Sequence, residues 1–204
     1  MIKITLTLKQ LLKAGLHLGH QKKRWNPKMS MYLIGIIKDI HIINLEYTII
    51  ILKKIIDVIH NIIINKGKIL FLINNINDIT NIINKISNKH IQVIDGKEIH
   101  GIFTNKDLYN YSKSSKLFIP DALFITNMNN YIYTINEANK LRIPIISFVD
   151  SNCNPTLITY PIPGNNDSIQ SIQFLYNLLN NIILNSIIKE NIIFKKSASI
   201  YNLI

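Results

Sequence analysis

Lys68-Ile-Leu-Phe-Leu-Ile73 is a continuous apolar run that begins directly after Gly67. A run of this kind is typical of a strand buried on both faces of a parallel sheet, where helices cover each side. Helix-like and strand-like stretches alternate after it, which predicts an α/β protein with an open parallel sheet and helices on both faces. The predicted strands cover residues 68–73, 90–94, 122–126, 145–149 and 159–162.

The first 45 residues are predicted to form an N-terminal helix and a basic extension. Thr7 can cap a short helix that Gly15 ends, and a polar, basic loop follows over residues 17–28. Two short strands, 32–36 and 41–44, then flank a turn. We expect the sheet domain to span residues 46–189 and an irregular C-terminal extension to span 190–204. The other predicted helices cover residues 46–65, 78–87, 104–109, 131–141 and 168–189.

The composition points to a polyanionic partner. The 204 residues include 23 Lys and Arg against 12 Asp and Glu, a net charge of +11 that favours contact with nucleic-acid phosphates. The lone Cys153 excludes an internal disulfide and a cysteine-based zinc knuckle. Charged residues interrupt the most apolar stretch, 49–64, so we expect no transmembrane helix and no membrane partner. We also expect no signal or transit peptide at the start.

Basic residues cluster in the loop over residues 17–28. The cations predict contact with RNA, since they attract phosphates. The aromatic ring of Trp25 could stack on an unpaired base, but a lone tryptophan is more often buried, and we favour core packing for it. The loop residues of interest are His17, His20, Gln21, Lys22, Lys23, Arg24, Trp25, Asn26 and Lys28.

Two aspartates follow the last two predicted strands. Asp150 comes directly after one strand, and Asp167 lies a few residues beyond the other, so both belong to one edge of the sheet. As a general acid and a general base, the two aspartates would need a nucleophile or a metal ion as a partner. Ser151 and Cys153 are the nearby candidate nucleophiles, but no convincing base lies beside either of them. The simpler interpretation is that Asp167 caps the last helix and Asp150 orders a turn. His17 and His20 alone make a weak metal signal.

Several stretches, in order, resemble the bacterial-type ribosomal protein S2 family. The resemblance extends from about residue 7 to about residue 184, and the order of the stretches makes coincidence implausible. The stretches are Leu11-Leu-Lys-Ala-Gly-Leu-His-Leu-Gly-His20, Arg24-Trp-Asn-Pro-Lys-Met29, Ile40-His-Ile-Ile-Asn-Leu45, Gly67-Lys-Ile-Leu-Phe71, Pro120-Asp-Ala-Leu-Phe124, Val149-Asp-Ser-Asn-Cys-Asn-Pro155 and Tyr160-Pro-Ile-Pro-Gly-Asn-Asn-Asp167.

The resemblance implies a flavodoxin-like sheet on the small ribosomal subunit, bound to ribosomal RNA and neighbouring ribosomal proteins. It implies no catalytic activity and no small-molecule substrate. Family members hold a divalent ion near the aspartate loops, which by position implies Mg²⁺ or Zn²⁺ on His20, Asp150 and Asp167. A segment that resembles a family loop adds Thr104, Asn105 and Lys106 to the expected RNA contacts.

The chain departs from the family where a long helical hairpin is expected. Residues 95–119 are too few for it at 1.5 Å per helical residue, so the insertion is largely missing. Isoleucine, asparagine and lysine, which have AT-rich codons, are used throughout. Both features favour a mitochondrial member of the family, with a plastid member as the alternative.

Two other functions compete with a ribosomal role. Because the fold alone does not decide function, an enzyme on the same type of sheet is one alternative. Such an enzyme would require a phosphate-binding glycine loop or a convergent acid–base pair. Neither G-x-G-x-x-G nor G-x-x-x-x-G-K-[ST] occurs in the sequence. The other alternative is a free RNA-binding regulator. Sedimentation with ribosomal subunits would distinguish a ribosomal protein from such a regulator.

Overall fold

The computed structural model describes residues 6–73, 90–95, 100–105 and 119–201, without the side chains of Asp95 and of residues 193–201. Two sheets are present in these residues. A small antiparallel sheet lies near the N-terminus, and a parallel sheet follows. The strands are β1 (Leu18–Gln21), β2 (Leu33–Ile37), β3 (Ile40–Ile43), β4 (Ile69–Ile73), β5 (Ile91–Asp95), β6 (Ala122–Ile125), β7 (Ile145–Val149) and β8 (Tyr160–Pro163).

The parallel sheet has five strands in the order β5-β4-β6-β7-β8. The first strand along the chain therefore lies between the second and the third, which is the flavodoxin-like order. The predicted α/β fold class and all five predicted strands are confirmed. The helices of the described residues are α1 (Leu8–Lys13), α2 (Leu45–Ile64), α3 (Ile132–Lys140) and α4 (Ile169–Tyr201).

Helices cover both faces of the parallel sheet, as predicted. On β4, Phe71 packs with Phe124 of β6 at 4.9 Å between ring centroids, on the side that α2 and α4 cover. Leu70 and Leu72 belong to the second core, on the side of α3. All five residues of β4 are buried, which explains why its sequence shows no polar alternation.

The short N-terminal helix forms where the sequence predicts it. Thr7 and Gln10 make a reciprocal capping box, in which the N–H of Gln10 donates to Thr7 Oγ1 and the N–H of Thr7 donates to Gln10 Oε1. Gly15 follows the helix with a φ of +73°, the left-handed conformation expected of it. The buried hydroxyl of Ser171 donates to the Ala14 carbonyl at 2.8 Å and so ties this helix to α4.

The basic segment is not a loop, which corrects the prediction for residues 17–28. Its first part forms β1, which pairs antiparallel with β3, and two short 3₁₀ helices follow at Lys22–Arg24 and Pro27–Tyr32. The sequence Leu-Gly-His-Gln is too short to show strand periodicity. Its backbone pairing depends on β3, twenty residues further along the chain, so no local pattern predicts it.

The C-terminal region also differs from the prediction. Residues from 191 onward were expected to be irregular, but α4 continues to Tyr201, so the expected boundary at residue 190 falls inside a helix. The buried face of this helix extends past its predicted end, because Glu190 is buried and its Oε2 lies 3.0 Å from Nε2 of His90. The predicted helix over 78–87, most of the one over 104–109, and most of the shortened insertion lie outside the described residues.

Within the described part of the chain, no helix is both long and apolar enough to cross a membrane. The most apolar predicted stretch forms α2, whose buried positions recur on one side of the helix.

Replacing Thr48 with valine should weaken the attachment of α2 to the sheet. Thr48 is fully buried, and its hydroxyl donates to the Pro163 carbonyl at 2.7 Å, at the end of β8. We expect the free energy of unfolding to fall by about 1–3 kcal/mol, measured by urea denaturation, because valine leaves a buried acceptor unpaired. Thr156→Val, at an exposed position, is the control and should change it by less than about 0.5 kcal/mol. Equal losses in both variants would contradict this account.

Candidate functional site

The candidate site lies at the carboxyl ends of β7 and β8, where the sequence places it. Asp150 directly follows β7, and Asp167 lies four residues beyond β8. The strands are parallel neighbours, so their following loops meet at one edge of the sheet. The residue that joins the two loops is His20, which comes from β1 of the N-terminal segment.

The ring of His20 lies between the two carboxylates. Its Nδ1 is 3.1 Å from Asp150 Oδ1, and its Nε2 is 3.0 Å from Asp167 Oδ2. The burial of the two acids differs: the Asp150 side chain is 1% exposed, whereas that of Asp167 is 61% exposed. One carboxylate therefore holds the ring from inside the protein, and the other approaches it from the solvent side.

Backbone contacts fix the N-terminal segment beside this histidine. The buried hydroxyl of Ser151 accepts the backbone N–H of His20 at 2.8 Å, and the Ser151 carbonyl accepts the N–H of Asn26, also at 2.8 Å. A Cβ on Gly19 would lie 2.9 Å from the Ser151 hydroxyl and 3.0 Å from the His41 carbonyl, so a side chain at Gly19 would force the two chains apart. The glycine is needed for this close approach.

Burial controls the protonation of Asp150. Loss of solvent raises the pKa of its carboxyl above the ordinary value of 3.8, while the nearby His20 and the backbone N–H groups of Ser151 and Asn166 oppose the rise. The same N–H contacts order the turn after β7, as the simpler interpretation of Asp150 predicts.

The expected role of Asp167 as a helix cap is wrong. Its carboxylate faces His20, and the side-chain oxygen of Asn165 accepts the N–H groups of Asp167 and Ser168 instead. Asparagine and aspartate are equally good acceptors before a helix, so the sequence does not decide between the two positions.

The candidate nucleophiles are tied up or shielded. Cys153 is buried, and burial raises the pKa of its thiol to about 12, which keeps the sulfur protonated at neutral pH. Ser151 is fully buried and its hydroxyl oxygen accepts a backbone N–H. Neither residue is therefore placed to attack a substrate.

An open cleft of about 540 Å³ lies in front of His20, Asp150 and Asp167, which we call the triad. Gln21 and Arg24 line it from the N-terminal segment, and Asn165 and Ser168 line it from the loop before α4. The donor atoms of His20, Asp150 and Asp167 all lie within 4.8 Å of one another, and this is the metal-type cluster found among the described residues. The cleft therefore combines a possible cation site with an arginine.

The cations of the basic segment are accessible, as RNA contact requires. Lys22, Lys23, Arg24 and Lys28 are all exposed. Trp25 is 39% exposed, so the expectation that it is a core residue is wrong. One side of its ring lies on buried His41, at 5.2 Å between centroids and 31° between planes, which leaves the rest accessible.

Not every residue predicted from the basic segment faces the cleft. Asn26 has a structural role, because its side-chain oxygen accepts the N–H of Lys28 and begins a 3₁₀ helix. His17 lines a different, apolar groove beside α1 and does not join His20, so the two histidines do not make one metal site.

A second candidate contact is the turn that contains Thr104 and Asn105, both exposed. Glu137 of α3 holds this turn, since its two carboxylate oxygens accept the N–H groups of Gly101 at 2.7 Å and Phe103 at 3.2 Å. No sequence motif predicts this role for Glu137. Lys106 lies outside the described residues.

These features define the chain as an α/β protein whose basic N-terminal segment is fastened to the loop edge of a flavodoxin-like parallel sheet. The sequence model of the ribosomal protein S2 family matches residues 11–117 and 107–186, which together cover most of the chain. The chain belongs to the ribosomal protein S2 family.

Curated relatives agree with this assignment. A protein of Ehrlichia canis is 32% identical and covers 89% of this chain and 76% of its own length. A protein of Paramagnetospirillum magneticum is also 32% identical, with 91% and 85% covered, and one of Acidiphilium cryptum is 31% identical, with 91% and 88% covered. All three are named small ribosomal subunit protein uS2.

The raised pKa of Asp150 predicts a pH-dependent difference between the wild type and Asp150→Asn. A carboxyl whose pKa is higher in the folded state stabilises the fold below its unfolded pKa, near 3.8, and loses that contribution as the pH rises through the folded value. We therefore expect the free energy of unfolding of the wild type to fall relative to that of the variant as the pH rises from about 4. Urea titrations with a chelator present measure this.

Asp39→Asn is the matched control, because Asp39 is exposed in the turn between β2 and β3. It shows how the removal of one exposed carboxyl alone changes the free energy of unfolding over the same pH range. A difference for Asp150→Asn that moves in the opposite direction would show that the contacts with His20 outweigh the effect of burial.

Proposed function

We propose that this chain is a structural, non-catalytic protein of the small ribosomal subunit that binds ribosomal RNA. The observation that carries the proposal is that the basic segment presents exposed cations at residues 22–28. The contacts of His20 with Asp150 and Ser151 hold these cations in place. The relatives support it, because they are named for the small ribosomal subunit. Neighbouring ribosomal proteins are the other expected partners.

The fixed position of the cations favours binding to a folded RNA. The segment is tied by backbone and side-chain bonds on both sides of Arg24, at His20 and at Asn26. A preordered segment loses less conformational entropy on binding than a free basic tail does. We infer that it matches the shape of a particular RNA surface in addition to its charge.

The proposed RNA-contacting residues come from two places. The first is the N-terminal segment, where an unpaired base can stack on the exposed face of Trp25. The second is the turn that Glu137 holds. The residues are His17, His20, Gln21, Lys22, Lys23, Arg24, Trp25, Asn26 and Lys28 from the first, and Thr104, Asn105 and Lys106 from the second.

Alanine at Lys22, Lys23 and Arg24 together tests the basic segment. Each lost phosphate contact should reduce the slope of log affinity against log salt by about 0.7–0.9, so the triple variant should lose about 2–3 from the slope for small-subunit RNA. Its sedimentation with small subunits should also decrease. Filter binding at several salt concentrations and sucrose gradients give the two measurements.

The control removes three other exposed lysines, Lys13, Lys53 and Lys54, and so makes the same change of net charge. It should keep the wild-type slope to within about one contact. Equal slopes for the two triple variants would exclude the basic segment as the RNA contact. Wild-type chain that binds RNA but stays at the top of the gradient would support a free regulator instead.

We also propose that His20, Asp150 and Asp167 hold a structural divalent cation. The donor set of one imidazole nitrogen and carboxylate oxygens suits Zn²⁺ and also admits Mg²⁺. The buried Asp150 carboxylate beside Nδ1 can orient the ring so that Nε2 faces the cleft, as carboxylates do for metal-binding histidines. The ion would neutralise the two acids beside an RNA-binding surface.

Asp167→Asn tests the ion site without disturbing the core, since this side chain is 61% exposed. Zinc titrated into the purified chain should bind the variant about 10- to 100-fold more weakly than the wild type by calorimetry. Asp57→Asn, at another exposed aspartate, is the control and should bind as the wild type does. Unchanged zinc affinity in Asp167→Asn would exclude the site, and magnesium titrations decide between the two ions.

We propose a mitochondrial origin, with a plastid as the alternative. Isoleucine, asparagine and lysine make up nearly half of the chain, the composition expected from an AT-rich organellar genome. Sedimentation of the chain with small subunits from purified mitochondria tests the location.

We also propose that the chain divides into a docking segment, residues 1–45, and a sheet domain, residues 46–189.

A further inference from the structure

The N-terminal segment carries an exposed apolar surface that the RNA-binding proposal does not use. Several large apolar side chains on α1, on β2 and just before β2 are between 43% and 69% exposed. Several exposed apolar side chains on one segment of a soluble domain are a feature of interaction sites. We name this set the β2 surface: Leu8, Leu12, Met31, Ile34, Ile36 and Ile37.

The outer strand of the small sheet forms the middle of this surface. The strand order is β1-β3-β2, so β2 pairs with β3 on one side, and no described strand pairs with its other side. Edge strands usually carry a charged residue, often lysine, or a proline, and either one prevents further pairing. The sequence of β2 is Leu-Ile-Gly-Ile-Ile, which has none of these features.

The register identifies which backbone groups point outward. Lys38 and Asp39 form a two-residue turn with φ of 48° and 63°, and Ile37 pairs with Ile40 across it. In such a hairpin the pair next to the turn exchanges hydrogen bonds, so the following pair, Ile36 with His41, does not. The N–H and C=O of Ile36 therefore point away from β3, toward the open edge.

A groove of about 400 Å³ lies along this surface, between α1 and the small sheet. Its lining is mainly apolar, with Leu8, Leu12 and Ile34 among the lining residues, and no lysine or arginine of the described residues lines it. Of the described lining residues, only Glu46 is formally charged, and it is exposed at the start of α2. RNA phosphates are thus a poor match, whereas a basic side chain matches Glu46.

We propose that the β2 surface binds an extended segment of a neighbouring protein, which adds to β2 as a fourth strand. Its backbone would pair with the outward groups of Ile36, an apolar side chain would enter the groove beside Ile34, and a lysine or arginine would reach Glu46. Backbone pairing and charge complementarity together select this occupant over RNA. This inference rests on the proposed role in the small subunit, which supplies the neighbouring protein.

Ile36→Pro tests the strand pairing directly. Proline removes the outward N–H but no bond to β3, and edge strands tolerate it where the N–H faces outward. We expect the variant chain to retain its fold and RNA affinity while its incorporation into small subunits, in competition with the wild type, falls about two- to tenfold. Ile36→Val keeps the N–H and should incorporate as the wild type does. Equal incorporation of the proline and valine variants would overturn the strand pairing.

Ile34→Lys tests the apolar contact and does not depend on how proline affects folding. Ile34 is 69% exposed, so lysine should leave stability unchanged while it opposes docking of an apolar, basic segment. Incorporation should fall at least tenfold. Ile188→Lys, at a 56% exposed position on α4, is the control and should incorporate normally. A loss shared by both lysine variants would overturn the role of the β2 surface.

A photoreactive amino acid in place of Ile37 identifies the occupant in purified small subunits. The expected product is a cross-link to another protein, at an extended apolar segment with a basic residue. A cross-link to RNA, to a second copy of this chain or to its own first five residues would overturn the proposal. If the wild-type chain is absent from small subunits, the proposed function fails; if it is present without the protein cross-link, only this inference fails.

Discussion

The buried carboxylate of Asp150 helps to fix the N-terminal segment around His20 on the parallel sheet. A carboxylate that is 1% exposed destabilises the fold unless it has partners, since a buried unpaired charge costs several kcal/mol. The sheet itself supplies two N–H groups, from Ser151 and Asn166, and the third partner is the ring of His20. Because that ring belongs to β1, the Asp150 carboxylate has all three partners only when the N-terminal segment lies on the loop edge of the sheet.

This attachment gives the N-terminal segment two different surfaces. On one side, the turn after β1 presents the exposed cations around Arg24 next to the cleft. On the other side, β2 and α1 present apolar side chains and an open strand edge. Both surfaces have fixed positions relative to the sheet because β3 pairs with β1 and with β2. The small sheet thus carries both the proposed RNA contact and the proposed protein contact. This arrangement suits a structural protein that holds its partners in place.

The sequence predicts the parts of this structure whose signals are local. Apolar runs such as Ile69–Ile73 predict the strands, and Thr7 and Gly15 predict the ends of α1. The strand β1 could not be predicted, since its four residues take their conformation from pairing with β3. The triad was predictable in part: strand order brings Asp150 and Asp167 together, but the position of the ring between them depends on tertiary contacts with Ser151. The support from Glu137 likewise depends on packing that no motif shows.

The same contacts explain why the loop edge of a flavodoxin-like sheet carries no catalysis in this chain. A catalytic site keeps a nucleophile and a base free to exchange protons with a substrate. Here the hydroxyl of Ser151 holds the backbone of His20, and burial keeps the thiol of Cys153 protonated. The carboxylate of Asp150 contacts the imidazole ring and accepts backbone N–H groups. The polar groups that an enzyme would use in chemistry serve in this chain to fasten one segment to another, so the site is built to hold a surface in position.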